Sequence, residues 1–242
     1  MAKFRAGVDI GGTFTDIVFL GADGSVLVRK VASTPGDYAK AVMEGLAQGI
    51  KDLGLSPEDI EEVGHGFTVA TNAILEGKGE RTALITTEGF RDVLELARIR
   101  TPRLYDLYYQ KPPPLIERSL RFEVDERMTF QGEVLKPLDE ASLDKVLDRI
   151  EASGVNSVAI SLLHSYANPV HEERIAAAVR ERLPDANLSV SSELLPEMRE
   201  YERTSTTVIN AYVRPVVAKY LGDLSRELQE TGIRVPLTVM QS

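Results

Sequence analysis

Two adjacent glycines, Gly11 and Gly12, interrupt an alternation of apolar and polar residues close to the N-terminus. Gly7-Val8-Asp9-Ile10 runs into them, and Thr13-Phe14-Thr15-Asp16 leads out into a second apolar run, Ile17-Val18-Phe19-Leu20. Period-two segments joined by a Gly-Gly step read as a β-hairpin. Without a Cβ in the way, backbone N–H groups converge at such a tip and form a concave site for anionic oxygen. Thr13 and Thr15 would add hydroxyl donors. Asp9 and Asp16 are acceptors suited to a hydrated Mg2+ or to orienting a water, and acids beside a phosphate imply a cation between them. The plain alternative is a hairpin whose glycines only make the turn and whose carboxylates face water.

Composition limits what such a site belongs to. With 242 residues, 43% of them hydrophobic, the chain has material for one large core or two modest ones. Its formal net charge is -9, from 28 basic and 37 acidic residues, and it has no basic run. That argues against nucleic acid or an anionic membrane surface as partner. The chain has no cysteine, so disulfides and thiolate metal sites are excluded. No apolar run has signal-peptide or membrane-spanning length, so the expected protein is soluble and cytoplasmic.

Further along, Ser25–Val31 continues the alternation as a third antiparallel strand, and Ser33-Thr34-Pro35-Gly36-Asp37 reads as a turn and helix start. Val42, Leu46 and Ile50 give residues 38–53 a helical period. Ser56-Pro57-Glu58-Asp59 has the form of a helix N-terminus. A short strand is then expected to end in a turn at Gly64-His65-Gly66, with a helix beginning near Thr68. Thr68, Thr71 and Asn72 would sit on its first turn, facing an anion or polar substrate, unless they serve as ordinary capping groups. His65 counts as functional only if it faces the same cleft as the hairpin; otherwise it is a satisfied core ring.

Arg81–Thr86 reads as a buried strand, followed by Gly89-Phe90-Arg91-Asp92 and a helix through Arg98. Residues 99–119, with Thr101-Pro102, Tyr105, Tyr108-Tyr109 and Pro112-Pro113-Pro114, read as an irregular excursion. Its tyrosines would either line a substrate pocket or anchor a long loop. Arg121–Arg127 alternates like a half-solvated strand with its charges in water, and Gln131-Gly132-Glu133 as a turn. Helices over 139–153 and from Asn168-Pro169 to Leu183, with strands at Val155–Leu163 and Asn187–Val190, imply a partly parallel α/β layer. His164 and His171 are seven apart, the wrong spacing for a metal-binding helix face, and read as structural. A charged segment from Pro196 leads past Pro215 into a helix ending at Glu230, and a strand at Val235–Met240 precedes Gln241-Ser242.

Asp9-Ile10-Gly11-Gly12-Thr13-Phe14-Thr15-Asp16 resembles the first phosphate loop of the actin, sugar kinase and Hsp70 superfamily, in the form found in the hydantoinase A and 5-oxoprolinase family. Four more stretches resemble that family in order and spacing: His65–Asn72, Gly89–Glu95, Leu163–Pro169 and Glu200–Thr207. Phe67 departs from the family's usual Thr. The resemblance implies an α/β, ribonuclease H-like N-terminal half with a mixed sheet and flanking helices. It also implies a division into an N-terminal region, residues 1–195, and the start of a second, truncated hydantoinase A-type domain, residues 196–242. Family members run to several hundred residues, so the chain is expected to be an N-terminal piece of one.

The activity implied is ATP-dependent phosphorylation of a cyclic amide or ketone carbonyl. Gly11, Gly12, Thr13 and Thr15 would hold phosphate, and Asp9 and Asp16 would hold Mg2+. His65 and Arg91 would serve the chemistry, Arg91 as a clamp on oxyanion charge, and Thr68, Thr71 and Asn72 would face the substrate. A second large subunit of hydantoinase B type is the implied partner. The rival readings are a sugar or metabolite kinase of the same fold and a nucleotide-driven chaperone or reactivating factor.

Overall fold

The Gly-Gly step joins two strands, β1 (Phe4–Ile10) and β2 (Phe14–Gly21), which pair antiparallel with Ile10 opposite Thr15 and Phe4 opposite Gly21. The computed structural model describes residues 3–34, 38–98, 105–106 and 108–240. The expected turn at Pro35-Gly36-Asp37, the Thr101-Pro102 step and the terminal Gln241-Ser242 lie outside the described residues. β3 (Val26–Ala32) adds to β2 antiparallel, and α1 (Tyr38–Leu53) follows with the predicted bounds. Gly54, at φ 64°, ends that helix in the left-handed conformation that glycine adopts without strain, and the Leu55 N–H donates back to the Ile50 carbonyl. Pro57–Asp59 forms only a 3-10 turn, its start closed by Asp59 accepting from the Ser56 backbone and hydroxyl.

β4 (Ile60–Phe67) corrects the expectation of a turn at Gly64-His65-Gly66. The strand runs straight through all three residues, parallel to β1, with Gly64 opposite Gly7 and Gly66 opposite Asp9. Both glycines are strand residues here rather than punctuation. α2 (Val69–Leu75) then closes the first stretch of chain.

The chain divides into two compact units, residues 1–78 with 216–242, and residues 79–215. The second unit starts with β5 (Thr82–Thr87), fully buried as expected. α3 (Val93–Leu96) is one turn long and stops at Ala97, which takes φ 49°, so the helix expected to reach Arg98 is cut short. β6 (Arg121–Val124) is an edge strand; β7 (Arg127–Met128) and β8 (Val134–Lys136) make a small hairpin about Gly132. α4 (Glu140–Ser153), β9 (Ser157–Ile160), α5 (Val170–Arg182), β10 (Asn187–Val190) and the short α6 (Ser191–Leu194) complete the alternation. The four strands lie in the order β10-β9-β5-β6, all parallel. α4 packs by β6, and α5 by β9 and β10.

The charges of 121–127 do not all face water. Arg121 and Glu126 are 3% and 2% exposed. Arg121 Nε and Nη2 donate to the Ile116 carbonyl, and Nη2 also to Glu95; Glu126 accepts from Thr87 Oγ1 and, at 2.7 Å, from His171 Nδ1. Buried charge is tolerated only when hydrogen-bonded in this way.

α7 (Glu200–Glu230) runs 31 residues through Pro215 instead of restarting after it. A proline there removes the N–H that would reach the Ala211 carbonyl. Ser157 Oγ donates to that oxygen at 2.7 Å, and the Glu80 N–H to the next one, Tyr212, at 2.8 Å. The freed acceptors are therefore satisfied from β9 and from the residues before β5. From Val216 onward α7 belongs to the first unit, whose sheet is completed by β11 (Leu237–Val239), parallel to β4, in the order β11-β4-β1-β2-β3.

In the first unit, Val42 and Leu46 of α1 and Tyr220, Leu224 and Leu228 of α7 share one core with Val8, Ile10, Ile17 and Phe19. α1 approaches β2 closely at two glycines. A Cβ on Gly45 would sit 2.1 Å from the mobile Cδ1 of Ile17, whereas one on Gly49 would meet three atoms of the Phe19 ring, the nearest at 2.1 Å. Alanine in a helix gains about 0.5–1 kcal/mol over glycine, and overpacking costs about 1–3 kcal/mol. Gly45→Ala is therefore expected to unfold in urea within about 1 kcal/mol of the parent. Gly49→Ala is expected to lose about 1–2 kcal/mol, and equal midpoints for the two would contradict this packing.

Candidate functional site

The turn between β1 and β2 is held from behind. Gly11 N–H donates to the Phe14 carbonyl at 2.9 Å, Ser33 N–H to the Thr13 carbonyl at 2.9 Å, and Ser33 Oγ–H to the Gly11 carbonyl at 2.9 Å. Thr15, fully buried, shares a 3.0 Å hydrogen bond with the Ser33 hydroxyl, so its expected place at the mouth of the cradle gives way to a supporting one. With the carbonyls tied to Ser33, the N–H groups of Gly12 and Thr13 and the Thr13 hydroxyl donate to no group among the described residues. Gly12 and Thr13 are exposed. Consecutive free N–H groups on a glycine turn are the physical basis of an anion cradle.

Thr68 and Asn72 lie against this turn. Thr68 Oγ1 donates to the Ile10 carbonyl at 3.1 Å instead of capping α2, and Asn72 Nδ2 donates to Thr68 Oγ1 at 3.3 Å. A Cβ on Gly12 would come 3.9 Å from that same Asn72 amide nitrogen. Thr71 is exposed on α2, and its hydroxyl bonds to no described residue.

The acids form a cross-strand row. Asp9 and Asp16 are directly opposite in the β1–β2 pairing, Gly66 lies opposite Asp9 on β4, and Lys30 opposite Asp16 on β3. Like charges placed opposite one another repel, and Lys30 relieves this with its Nζ 3.0 Å from Asp16 Oδ1. Gly66 keeps the flank of Asp9 open, since a Cβ there would sit 3.5 Å from Asp9 Oδ1. No group of three or more His, Asp or Glu that could hold a metal occurs among the described residues. The two carboxylates nevertheless fit Mg2+, which keeps waters and phosphate oxygens and takes one or two carboxylates from the protein.

His65 is corrected. It does not face a cleft: it is fully buried, its Nδ1–H donates to the Val8 carbonyl at 3.2 Å, and its Nε2 accepts from Tyr220 Oη–H at 2.5 Å. Burial holds its pKa below the usual 6.5, opposed by the Val8 carbonyl and the Asp9 charge, and lifts the Tyr220 hydroxyl well above its ordinary value. The ring braces β1 one residue before Asp9. Arg91 lies in the second unit, Nε 3.5 Å from Glu123 Oε2, on a polar cavity of about 210 Å³ that it shares with Arg121 and Arg149. Arg91, expected as a clamp on oxyanion charge, thus has a carboxylate neighbour. Of the tyrosines, Tyr105 and Tyr108 are exposed, and Tyr109 lines a groove with Tyr201 and Pro112–Pro114.

Two residues of the site escaped the sequence reading, Ser33 and Lys30. The signal for Lys30 was present: an Asp23-Gly24 turn between β2 and β3 sets a register that brings it opposite Asp16.

Comparison with known proteins agrees with the geometry in outline. Residues 5–183 match the family model for the hydantoinase/oxoprolinase N-terminal region, and residues 203–242 the hydantoinase/oxoprolinase model. Caprolactamase subunit alpha of Pseudomonas jessenii is 38% identical, over 99% of this chain and 35% of its own length. 5-Oxoprolinase 1 of Arabidopsis thaliana is 32% identical, over 99% of this chain and 21% of its own. The crystal structure of the ATP-dependent caprolactamase from Pseudomonas jessenii superposes with a TM-score of 0.89 at 37% identity, covering 97% of this chain and 35% of that one. Nucleotide-free acetone carboxylase gives 0.86 at 27% identity, covering 99% and 36%. The chain thus spans about a third or less of the length of these relatives. No helix among the described residues is long and apolar enough to cross a membrane.

The buried His65 makes stability depend on pH. Its folded pKa lies below 6.5, so the unfolded chain binds the proton more readily. The contribution of His65 is fully present above pH 6.5 and is lost as pH falls below it. The stability of the parent relative to a His65→Asn variant should accordingly fall from about pH 7 to pH 5 in urea titrations; a constant difference would contradict the burial. Tyr220→Phe leaves Nε2 without its donor and should cost about 1–3 kcal/mol at neutral pH.

Proposed function

The chain belongs to the hydantoinase/oxoprolinase family, and on that premise we propose that it is the N-terminal part of an enzyme that uses ATP to activate a cyclic amide or ketone carbonyl. An amide carbonyl is a poor electrophile; phosphate transferred to its oxygen becomes a leaving group that water or another nucleophile can displace. The observation that carries the reading is the free donor pair, Gly12 and Thr13 N–H, on the turn whose flanking strands place Asp9 opposite Asp16. ATP supplies the phosphoryl group. Gly12 and Thr13 bind phosphate oxygen through N–H and hydroxyl, and Gly11, Thr15 and Ser33 keep the turn in shape. Asp9 and Asp16 hold Mg2+, and Lys30 tempers their charge. Thr68, Asn72 and the exposed Thr71 present polar groups to the substrate side of the turn.

Support for the carbonyl chemistry comes from the relatives, whose names specify a caprolactamase, an oxoprolinase and an acetone carboxylase. The sheet order β3-β2-β1-β4-β11, three antiparallel strands followed by two parallel ones, supports placing the first unit in the actin, sugar kinase and Hsp70-like class. We assign a second large subunit as partner, because relatives are named as an alpha and a gamma subunit, and we place the enzyme in the cytoplasm. Residues 196–242 would open the second domain of the longer protein.

The test uses a protein of the relatives' length, coexpressed with a neighbouring large subunit. ATP turnover is measured with hydantoins, 5-oxoproline, lactams, and ketones plus bicarbonate. Turnover that requires a cyclic amide or ketone supports the reading; turnover requiring only a partner protein points to a chaperone instead. Asp9→Ala and Asp16→Ala should each lower turnover by roughly two to three orders of magnitude with the melting temperature little changed, as loss of a positioned charge-stabilising group does. Near-normal rates in both would overturn the assignment.

A further inference from the structure

The tyrosine- and proline-rich stretch has no part in the phosphate turn. Within the second unit its later residues line a cavity of about 380 Å³ together with the end of α3 and the first half of α7. Leu94 and Leu115, which also pack against the core, share the lining with Pro112–Pro114 and with Val208 and Ile209 of α7. An apolar cavity of about 150 Å³ accommodates benzene, so the volume here suits a body of about eight carbon atoms. Concave, mostly apolar hollows of this size with a few polar groups are the usual form of a small-ligand site.

Polar groups are present in the lining and uncommitted. The hydroxyls of Tyr109, Tyr201 and Ser205 bond to no described residue. Ala97, also in the lining, takes φ 49° and ψ -138°. That backbone region is costly for a residue with a Cβ, and such strain clusters at functional sites.

The charges decide the head group. Glu95 is committed to Arg121, whose Nη2 donates to it at 3.1 Å, and Arg98 to Glu202, which accepts from its Nε at 2.7 Å. Lys111 differs. Its Nζ donates to the Glu95 and Leu96 carbonyls at 3.3 and 2.9 Å and has no ion pair with a described carboxylate. Glu95 and Lys111 both line the cavity, so this bonding fixes the ammonium beside it. An ammonium has three N–H donors, so one donor and the positive charge stay unmatched. A single unmatched cation calls for a monoanion, and the apolar walls call for a hydrocarbon body without a second charge.

We propose that the cavity binds an aliphatic monocarboxylate of about eight carbons, its carboxylate on the Lys111 ammonium and its chain against Pro112–Pro114 and α7. The site needs neither a nucleotide nor the carbonyl chemistry proposed above.

The test is isothermal titration calorimetry on the 242-residue chain, without ATP and at constant ionic strength. The probes are octanoate, hexanoate, acetate and 1-octanol. The expected result is saturable binding of octanoate, about tenfold weaker binding of hexanoate for its two missing methylenes, and none of acetate. Lys111→Gln should weaken octanoate about fivefold and leave 1-octanol within about twofold, as loss of one exposed ion pair does. Ser205→Phe fills the cavity from α7 and should remove the binding of both. Should that variant not fold, Ile209→Glu, at a position already 37% exposed, sets a carboxylate in the wall and should weaken octanoate more than 1-octanol. Octanoate binding that survives the cavity variants belongs to another apolar surface and overturns the proposal. Equal losses of acid and alcohol in Lys111→Gln overturn the head-group assignment, and the absence of saturation by octanoate means that the cavity holds only water.

Discussion

The candidate site depends on the register of β1, which pairs antiparallel with β2 and parallel with β4. Side chains on a strand alternate between faces, so a slip of one residue would send Asp9 into the core and Ile10 into water. The core makes such a slip prohibitive: Val8, Ile10, Ile17 and Phe19 are all buried against α1 and the second half of α7. Hydrophobic packing on one face thereby fixes the position of charge on the other. His65 adds a polar lock to the same strand, with one ring nitrogen on the Val8 carbonyl and the other on Tyr220. Asp9 is set between Val8 and Ile10 without a hydrogen bond of its own needing to hold it.

The second unit solves a different problem, the satisfaction of buried polar groups. Thr87, Glu126 and His171 form one chain of hydrogen bonds, and Glu172 accepts from the Leu162 N–H, the Ser191 hydroxyl and the Ser192 N–H. Together with Thr87 Oγ1, which accepts from the Leu163 N–H, these groups pin both sides of the loop after β9. Low dielectric makes each of these bonds stronger and each missing one more harmful. The loop's shape is therefore set by side chains far apart in sequence.

That contrast explains what could be read from the residues alone. Local signals sufficed for the hairpin, for α1 with its Val42-Leu46-Ile50 stripe, and for α4, whose Asp139 caps it by accepting from Ala141 N–H. They failed where tertiary partners decide. Gly64-His65-Gly66 looks like a turn because nothing local shows that β1 and β11 will claim both edges of that segment. Pro215 looks like a helix boundary because Ser157 and Glu80, which satisfy the carbonyls it frees, lie well over fifty residues away. Arg121 and Glu126 look solvated until Ile116 and His171 are placed beside them. At the candidate site the glycines and acids stand in one contiguous stretch, Asp9–Asp16, and Thr68 with Asn72 in another, so each group could be singled out from the sequence. Ser33 and Lys30 required the register of the second hairpin, and the inward turn of His65 required Tyr220.

The split course of the chain bears on its synthesis. β11 and the second half of α7 reach the ribosome exit only after the whole of residues 79–215, yet they close the sheet and core that β1 begins. At about 5–20 residues per second, the outer edge of β4 and the core face of β1 wait on the order of ten seconds for their covering. The later-made unit is a single continuous segment and has every partner it needs first. Vectorial folding would thus complete the chain from its middle outward, and the nascent N-terminal hairpin is the segment that a chaperone would be called on to shield.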